Sequence, residues 1–317
     1  MRRIATWVLV AALVAPPPAS PQARDVGGMI TEIKVGRGRI EVRGPAAGEW
    51  RPAGPLLALR VGDSLRATED AAAVVVLAGR RGSVRVDAAR SPFQVTAPPA
   101  DTKLQKAFLL LEGGLGFLGS TPRETSRPVL STRSLTRAPV ILSPRGGPVI
   151  ADRLALEWHG AQGARYALRV TAPSGIVLER SGLRGGRLAY PPDGPALRPG
   201  TVYDLELFSG STRVDAARFE VADRARVEDL RRDLREVEAA LGPEVPASSR
   251  AVLEAGVLAS RGFLHDARRV TVAALAADAD QPALHALLGD LYARTGLARE
   301  ADEAHERARV LASPAPR

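Results

Sequence analysis

The sequence predicts a multidomain protein in which two β-rich units precede an α-helical unit. Short segments with alternating apolar and polar residues recur up to residue 222, as expected of strands with one buried face. From residue 224 the apolar residues are instead spaced by three and four, which is the period of an amphipathic helix. The last part of the chain is rich in Ala, and its pattern repeats after 34 residues. These observations fix the predicted order of the units.

Composition restricts the classes of function. The 317 residues are enough for two or three domains with cores of their own. The chain contains no Cys, which excludes disulfide bonds, zinc–thiolate sites and cysteine nucleophiles. Its formal net charge of +9 favours anionic partners. Acidic residues are interleaved with the arginines, however, and no basic run contains aromatic residues, so we expect no nucleic-acid partner.

Residues 1–23 have the organisation of a secretory signal peptide. Arg2 and Arg3 precede an apolar segment from Ile4 to Ala15, and a Pro-rich segment of small residues follows. The apolar segment is too short to span a bilayer of roughly 30 Å as a helix. We therefore expect cleavage after Ala23, a periplasmic or secreted location, and no transmembrane span in the mature chain. Without the two leader arginines the formal charge of +9 becomes +7.

Residues 24–120 are predicted to form an all-β domain. The segments 38–44 and 82–88 alternate apolar and polar residues. In contrast, 71–79 is a continuous apolar run that suits a strand buried on both faces. A further pair of strands, joined by a glycine turn, is predicted at 106–119.

Short motifs in this region resemble a known domain. They are Gly38–Val42, Trp50, Leu59–Thr68, Ala73–Leu77 and Val84–Val86. Together they resemble the FecR-type domain, a periplasmic β-rich module with a G-D-x-[IL]-R-T core, an apolar strand and a D-G-S turn. Ala67 is an insertion in that core, and Gly79–Ser83 replaces the D-G-S turn. Gly62 and Asp63 are predicted to form a turn in any case, because glycine permits positive φ and aspartate can bond its own backbone.

A linker and a second β-rich domain are predicted next. Residues 121–138 contain Ser, Thr, Arg and Pro without apolar periodicity, which is typical of a linker. Residues 139–222 alternate again and predict a β-sandwich. The stretch Leu197–Leu207 resembles the tyrosine corner of Ig-like and fibronectin type III-like sandwiches, in which a tyrosine hydroxyl bonds backbone groups across the corner. The resemblance makes Tyr203 that tyrosine, and we expect Trp158 in the core.

Residues 223–243 predict a single amphipathic helix. Its apolar residues are spaced 3, 4, 3 and 4 apart, with charged residues between them: Val227, Leu230, Leu234, Val237 and Leu241. Gly242 and Pro243 end the helix. We expect this helix to cover an exposed face of the helical repeats that follow.

Residues 244–317 predict helical hairpins that repeat after 34 residues. Matching residues in the two copies are Ala259 and Ala293, Gly262 and Gly296, Ala267 and Ala301, and Ala274 and Ala308. Small residues at such positions let two antiparallel helices approach closely. The period, together with Gly289 and Tyr292, resembles the tetratricopeptide repeat. His285 and His305 stand where that family usually has large residues.

No motif for catalysis or cofactor binding is apparent. Gly114–Gly119 matches G-x-G-x-x-G, but Ser, Thr and Pro follow it where a dinucleotide site needs an apolar helix. The histidines, His159, His265, His285 and His305, form no H-E-x-x-H motif. His285 and His305 can meet across one hairpin, but no third ligand is evident. We expect no enzymatic activity, no cofactor and no bound metal.

The predicted modules favour a non-enzymatic exported binding protein or scaffold of the bacterial cell envelope that binds a protein or peptide. Each module type is associated with binding, which is an argument from fold alone. The FecR resemblance leaves open a second function, as a periplasmic sensor component of FecR-type sigma-factor signalling. The charge of +7 leaves open a third, as a binder of anionic cell-wall polymer, and added salt should weaken such binding.

The partner is expected to bind the first helices of the two repeats, because these line the concave groove of tetratricopeptide repeats. By the 34-residue register, that face comprises Ser249, Val252, Gly256, Ala259, Ser260, Ala283, Ala286, Asp290, Ala293 and Arg294. Most are small, which leaves room for an extended peptide. Asp290 and Arg294 are the charged members and the predicted partner-binding residues. The alternative is that they form an i, i+4 surface ion pair worth about 0.3–0.5 kcal/mol.

Overall fold

The computed structural model describes residues 26–46, 48–78, 82–97, 138–190 and 194–314. Within these residues, two β-rich units are followed by five α-helices, which confirms the predicted order of units. The predicted signal peptide, the strand pair at 106–119 with its glycine motif, and nearly all of the predicted linker lie outside the described residues. Among the described helices, none is long and apolar enough to cross a bilayer.

The first β-rich unit consists of two four-stranded antiparallel sheets. Its strands are β1 (Val26–Lys34), β2 (Ile40–Arg43), β3 (Arg51–Pro52), β4 (Ala58–Arg60), β5 (Ser64–Ala67), β6 (Ala72–Leu77), β7 (Ser83–Val86) and β8 (Phe93–Gln94). We name β4-β1-β6-β7 the helix-facing sheet and β3-β2-β5-β8 the outer sheet. Ile30 and Val75 of the first meet Val42 and Leu65 of the second in one core.

Strand β6 is buried on both faces, as its continuous apolar sequence predicted. Val75 is fully buried in the core between the two sheets. Its neighbour Val76 instead joins an apolar cluster formed mainly by the helices, and Met29 of β1 lies in the same cluster. Adjacent strand residues point to opposite faces. The helix-facing sheet is therefore packed between the outer sheet and the helices.

The turn at Gly62 and Asp63 has the predicted geometry. Gly62 has a φ of 91°, which is the left-handed region that favours glycine. The buried Asp63 carboxylate accepts a hydrogen bond from the backbone N–H of Arg60 at 2.7 Å. Position 38 also requires glycine, because a Cβ atom on Gly38 would lie only 1.8 Å from the carbonyl oxygen of Thr68. Gly38, Gly62 and Asp63 of the sequence motifs thus each have a structural role.

The second β-rich unit is a sandwich of a five-stranded and a three-stranded sheet. Its strands are β9 (Val140–Ser143), β10 (Pro148–Val149), β11 (Ala155–His159), β12 (Tyr166–Ala172), β13 (Gly175–Leu183), β14 (Arg187–Ala189), β15 (Val202–Ser209) and β16 (Thr212–Val221). The sheet orders are β10-β16-β15-β12-β13 and β14-β11-β9. Strand β10 pairs with β16 in parallel, and the other pairs are antiparallel.

The predicted tyrosine hydrogen bond is present in the sandwich. The Tyr203 hydroxyl accepts from the backbone N–H of Arg198 at 2.7 Å. The Tyr203 ring stacks on Phe219 with a centroid separation of 5.5 Å, and Trp158 lies in the same core. Because the hydroxyl satisfies a backbone donor while its ring is buried, Tyr203 joins the core to the turn before β15.

The helices are α1 (Arg224–Leu241), α2 (Ala247–Ser260), α3 (Leu264–Ala277), α4 (Pro282–Arg294) and α5 (Ala298–Leu311). Helix α1 begins after Asp223, whose carboxylate accepts from the backbone N–H of Arg226 at 2.8 Å, and ends before Gly242, which has a φ of 69°.

Helix α1 covers the first hairpin, as expected. Leu230, Val237 and Leu241 are buried and share one apolar cluster with Val252 and Leu253 of α2. The opposite side of α1 carries charged residues that remain exposed. The narrow apolar stripe therefore packs against the neighbouring helix.

The helical hairpins have the predicted 34-residue period. Helix α3 begins at Leu264 and α5 begins 34 residues later at Ala298. Gly262 and Gly296, which precede them, have φ values of 83° and 76°. The second hairpin is also closely packed, since a Cβ atom at Gly289 would lie 2.3 Å from the ring of His305.

Candidate partner-binding site

The predicted partner-binding face is buried in its first copy. Ser249, Val252, Gly256 and Ala259 of α2 are all buried, whereas Ser260 is exposed. Helices α2 and α4 both contact β1 of the helix-facing sheet. The expectation that the small residues leave room for an extended peptide is therefore wrong for this copy, because the chain's own packing fills the space.

A polar network joins α2 to β1. The hydroxyl of Ser249, which is fully buried, lies 2.9 Å from Thr31 Oγ1 and donates to Glu32 Oε1 at 2.8 Å. Ser248 also donates to Glu32 Oε1. The pairing of β1 with β6 shifts register between Ile30 and Glu32. Such an irregularity lets Thr31 and Glu32, which are consecutive, reach the same helix.

In the second copy, the two predicted partner-binding residues have different surroundings. Asp290 is 5% exposed, and its Oδ1 lies 3.0 Å from Nε2 of His305 inside the hairpin. Ala293 and Arg294 are exposed at the end of α4. Burial lowers the pKa of Arg294, and the Asp290 carboxylate acts in the opposite direction. An arginine remains charged at any physiological pH, so Arg294 presents a cation at the surface above a buried carboxylate.

The histidines of the repeats bind separate partners. His285 Nε2 lies 2.8 Å from the carbonyl oxygen of Ala279, and His305 bonds Asp290. The two histidines, which could have met across the hairpin, thus contact different groups. Among the described residues, no group of three or more His, Asp or Glu side chains is arranged to hold a metal ion.

The first turn of α3 contacts the sandwich through buried polar side chains. His265 Nδ1 lies 2.7 Å from Ser143 Oγ at the end of β9. Asp266, which is fully buried, accepts from the backbone N–H of Ile150 at 3.2 Å. A carboxylate in the first turn also interacts favourably with the helix dipole. This end of α3 is therefore anchored to the sandwich.

An ion pair strengthens the same interface one turn further along α3. Arg268 Nη1 donates to Glu157 Oε2 of β11, and Arg268 Nε donates to the Tyr292 hydroxyl at 3.3 Å. The side chains of Arg268 and Glu157 are 9% and 17% exposed. Burial alone lowers the pKa of Arg268, but Tyr292 and Glu157 together raise the pKa above its ordinary value. The charged form of Arg268 is therefore the stable one at this interface.

The two backbones also approach closely at this interface. Gly147 has a φ of 70°, and a Cβ atom on it would lie 2.5 Å from the carbonyl oxygen of Gly262. Gly262 forms the turn between α2 and α3. Only glycine fits at position 147 without moving the helices away from the sandwich.

The partners of these interface residues are not apparent from the sequence. The polar side chains of Ser248, Ser249 and Asp266 lie in first helical turns, where such residues are common for local reasons alone. Arg268 is buried on α3. Because charged residues are rarely buried without a partner, a charged residue on the buried face of a helix indicates a contact with another unit. Such a residue indicates that a partner exists, but it does not identify the partner residue.

Comparisons with known proteins give little further information. No family model and no curated protein matches the chain. Five chains of known structure match it. One of them is described as a biofilm associated protein, BSP domain; it is 10% identical, and the match covers 63% of this chain and 29% of that chain, with a TM-score of 0.20. The chain thus spans less than a third of that protein's length, and so low a TM-score supports no conclusion about function.

Proposed function

We propose that the protein is a non-enzymatic, exported scaffold of the bacterial cell envelope, built from FecR-like, fibronectin type III-like and tetratricopeptide-like modules. The Gly62-Asp63 turn supports the first resemblance, the Tyr203 hydrogen bond the second, and the helical period of 34 residues the third. The proposal requires a surface that binds a protein or peptide partner.

One observation carries the scaffold proposal: the helical unit contacts both β-rich units through buried side chains. Helix α2 bonds Glu32 of the first unit, and α3 bonds Glu157 of the sandwich. Met29 and Val76 add apolar contacts to the first of these interfaces. Domains with small polar interfaces move relative to one another, whereas extensive buried contacts oppose such motion. The three modules therefore present their outer surfaces in one fixed arrangement, as a scaffold requires.

The end of α4 is the part of the predicted face that remains open for a partner. Ala293 and Arg294 are exposed there, and Asp290, one turn earlier on the same helix, is buried. Arg294 can donate several hydrogen bonds to a carboxylate of a peptide. Asp290 bonds His305, so its role is to position the arginine by charge attraction and not to touch the partner.

Site-specific crosslinking in the native host tests this proposal. A photoreactive amino acid replaces Ala293, next to Arg294, and in a second strain it replaces Ala239, which is exposed on α1. We expect an envelope protein to be captured at position 293 and not at position 239. Equal capture at both positions, or none at either, contradicts a partner site at the end of α4.

The variant Arg294→Ala provides the second test. Since the side chain is exposed, the helical circular dichroism signal and the melting temperature should stay within error of the parent chain. We expect capture at position 293 to fall at least tenfold, which corresponds to about 1.4 kcal/mol of binding free energy. Unchanged capture shows that Arg294 does not bind the partner, even if the partner itself is real.

A further inference from the structure

The outer sheet exposes a row of arginines on its solvent side. Ile40 and Val42 of β2 are buried in the core, so the alternation of the strand places Glu41, Arg43 and the preceding residue Arg39 on the opposite side. We call this side the outer face. On the neighbouring strand β5, Arg66 pairs with Glu41 and Ser64 pairs with Arg43 in the register of the sheet. Three arginines and one glutamate therefore share the outer face.

Trp50 holds two of these arginines in place. The guanidinium of Arg43 lies 4.7 Å from the centre of the Trp50 ring, and that of Arg66 lies 4.3 Å from it. Cation–π contact of this kind restricts a long, flexible side chain. A side chain that is already ordered loses less entropy when it binds a ligand. Trp50 therefore pre-orders the two guanidinium groups for binding an anionic ligand.

The two stacked arginines differ in their charge partners. Arg66 Nε donates to Glu41 Oε2 at 2.6 Å, and the Glu41 side chain is only 11% exposed beneath it. Arg43 makes no ion pair with any residue in the described parts of the chain. Glu49 is exposed in the loop before Trp50, and it pairs with none of the described arginines of the outer face. One guanidinium on the ring thus already binds a carboxylate, and Arg43 makes a similar contact with the same ring.

Arginines on the surface of the sandwich, in contrast, are paired with acidic residues. On the solvent side of the five-stranded sheet, each of three arginines pairs with an acidic residue of a neighbouring strand: Arg169 with Glu179 at 2.8 Å, Arg213 with Glu206 at 2.7 Å, and Arg218 with Asp204 at 2.8 Å. That surface is neutralised by its own side chains. The outer face has an excess of positive charge, which favours an anionic ligand.

We propose that the outer face binds an acidic polysaccharide, whose carboxylates pair with Arg43 and Arg39. Arg39 directly precedes β2, and its carbonyl oxygen accepts from the backbone N–H of Thr68 at 3.0 Å, so this extended stretch separates the Cα atoms of Arg39 and Arg43 by about 13 Å. A small anion cannot reach both, but a chain with repeated carboxylates can. Arginine is suited to this because its planar group binds a carboxylate with two hydrogen bonds. This site is separate from the end of α4 and does not depend on the function proposed there.

A stiff polysaccharide fits the outer face better than two other polyanions. Single-stranded nucleic acid binds mainly by stacking its bases on aromatic rings, and here two guanidinium groups contact the Trp50 ring. A flexible acidic peptide must lose more conformational entropy to follow a straight row of charges. Both remain as outcomes of the experiment below.

The test measures binding of polygalacturonate to the full chain by isothermal titration calorimetry at low salt. The double variant R39Q/R43Q removes two charges from the outer face. The control R213Q/R218Q also removes two positive charges, but from the neutralised surface of the sandwich. We expect at least tenfold weaker binding for the first variant and less than a twofold change for the control, with the parent's affinity falling as salt is added.

Several results overturn the proposal. These are no measurable binding of polygalacturonate, equal weakening by both double variants, binding of neutral dextran as tight as that of polygalacturonate, and tighter binding of oligothymidylate or polyglutamate than of polygalacturonate. If R39Q/R43Q melts at a lower temperature than the parent, binding is measured with the single variant Arg39→Gln instead. Its side chain is exposed and does not stack on Trp50, and we expect at least threefold weaker binding with an unchanged melting temperature.

Discussion

The helical unit contacts the two β-rich units through different chemistry. Toward the first unit, the hydroxyls of Ser248 and Ser249 both donate to the carboxylate of Glu32. Toward the sandwich, the carboxylate of Glu157 is paired with the guanidinium of Arg268. In both interfaces a glutamate on a strand is bound by the N-terminal part of a helix. The difference is whether neutral donors or an opposite charge stabilise it.

This difference determines how each interface responds to the loss of one side chain. A carboxylate bound by two hydroxyls retains one donor when the other is removed. A carboxylate bound by a buried cation loses most of its stabilisation at once, and the charge that remains is costly to bury. We therefore expect the sandwich interface to be the more sensitive of the two. The following substitutions test that ranking, from the largest effect to the smallest.

The substitution Arg268→Ala should have the largest effect. It leaves Glu157 without its main partner at a site where the two side chains are 9% and 17% exposed. Removing one member of a buried ion pair typically costs about 3–5 kcal/mol of unfolding free energy. Arg187, whose Nε lies 3.6 Å from Glu157 Oε1 but whose side chain is 67% exposed, should compensate little. Urea unfolding followed by circular dichroism measures the change.

A double substitution serves as the control for this ion pair. Arg268→Met together with Glu157→Gln removes both charges and keeps similar volumes. It should destabilise the protein less than Arg268→Ala alone, because no uncompensated charge remains buried. If the double variant is the less stable of the two, the uncompensated charge of Glu157 is not what destabilises Arg268→Ala.

The substitution Gly147→Ala should have the next largest effect. Gly146 and Gly147 have nearly equal φ values of 72° and 70°, so alanine is strained by about 1–2 kcal/mol at either position. A Cβ atom at Gly146 meets nothing within 4 Å, whereas at Gly147 it lies 2.5 Å from the carbonyl oxygen of Gly262. Gly147→Ala should therefore cost about 1–3 kcal/mol more than Gly146→Ala. Equal melting temperatures for the two variants show that the interface adapts freely.

The substitution Ser249→Ala should have the smallest effect of the three. It removes one of two hydroxyl donors to Glu32 at a fully buried position, and we expect a loss of about 1–2 kcal/mol. Ser248→Ala removes the other donor, but Ser248 is only partly buried, so water can replace it and the loss should be smaller. If Ser249→Ala destabilises the protein as much as Arg268→Ala, the proposed ranking of the interfaces is wrong.

Local patterns were sufficient to predict much of the fold. The continuous apolar sequence of β6 predicted a strand buried on both faces, and the Gly62-Asp63 turn and the Tyr203 hydrogen bond involve residues at most five positions apart. The period of 34 residues located both helical hairpins. In each case the residues that define the structure are near neighbours in sequence or repeat at a fixed spacing, so the sequence alone contains the necessary information.

The location of the candidate site required the tertiary structure. The sequence placed Asp290 and Arg294 on one helical face, but only packing put Asp290 against His305 and left Arg294 exposed. The outer face of the first unit shows the same limit, since Arg43, Trp50 and Arg66 lie in separate stretches of the sequence whose contact depends on how the strands pair.

The sequence by itself determined the order of the β-rich and helical units and the position of several strands, helices and turns, because those features depend on backbone conformation and on the period of apolar residues. The tertiary structure decided which faces are covered. Ser249 and Glu32 are 217 positions apart, and His265 and Ser143 are 122 apart. No local pattern specifies such a pair, because a buried polar residue needs a hydrogen-bonding partner of suitable chemistry, and several positions of the chain offer one. Only the packing of the three units selects among them.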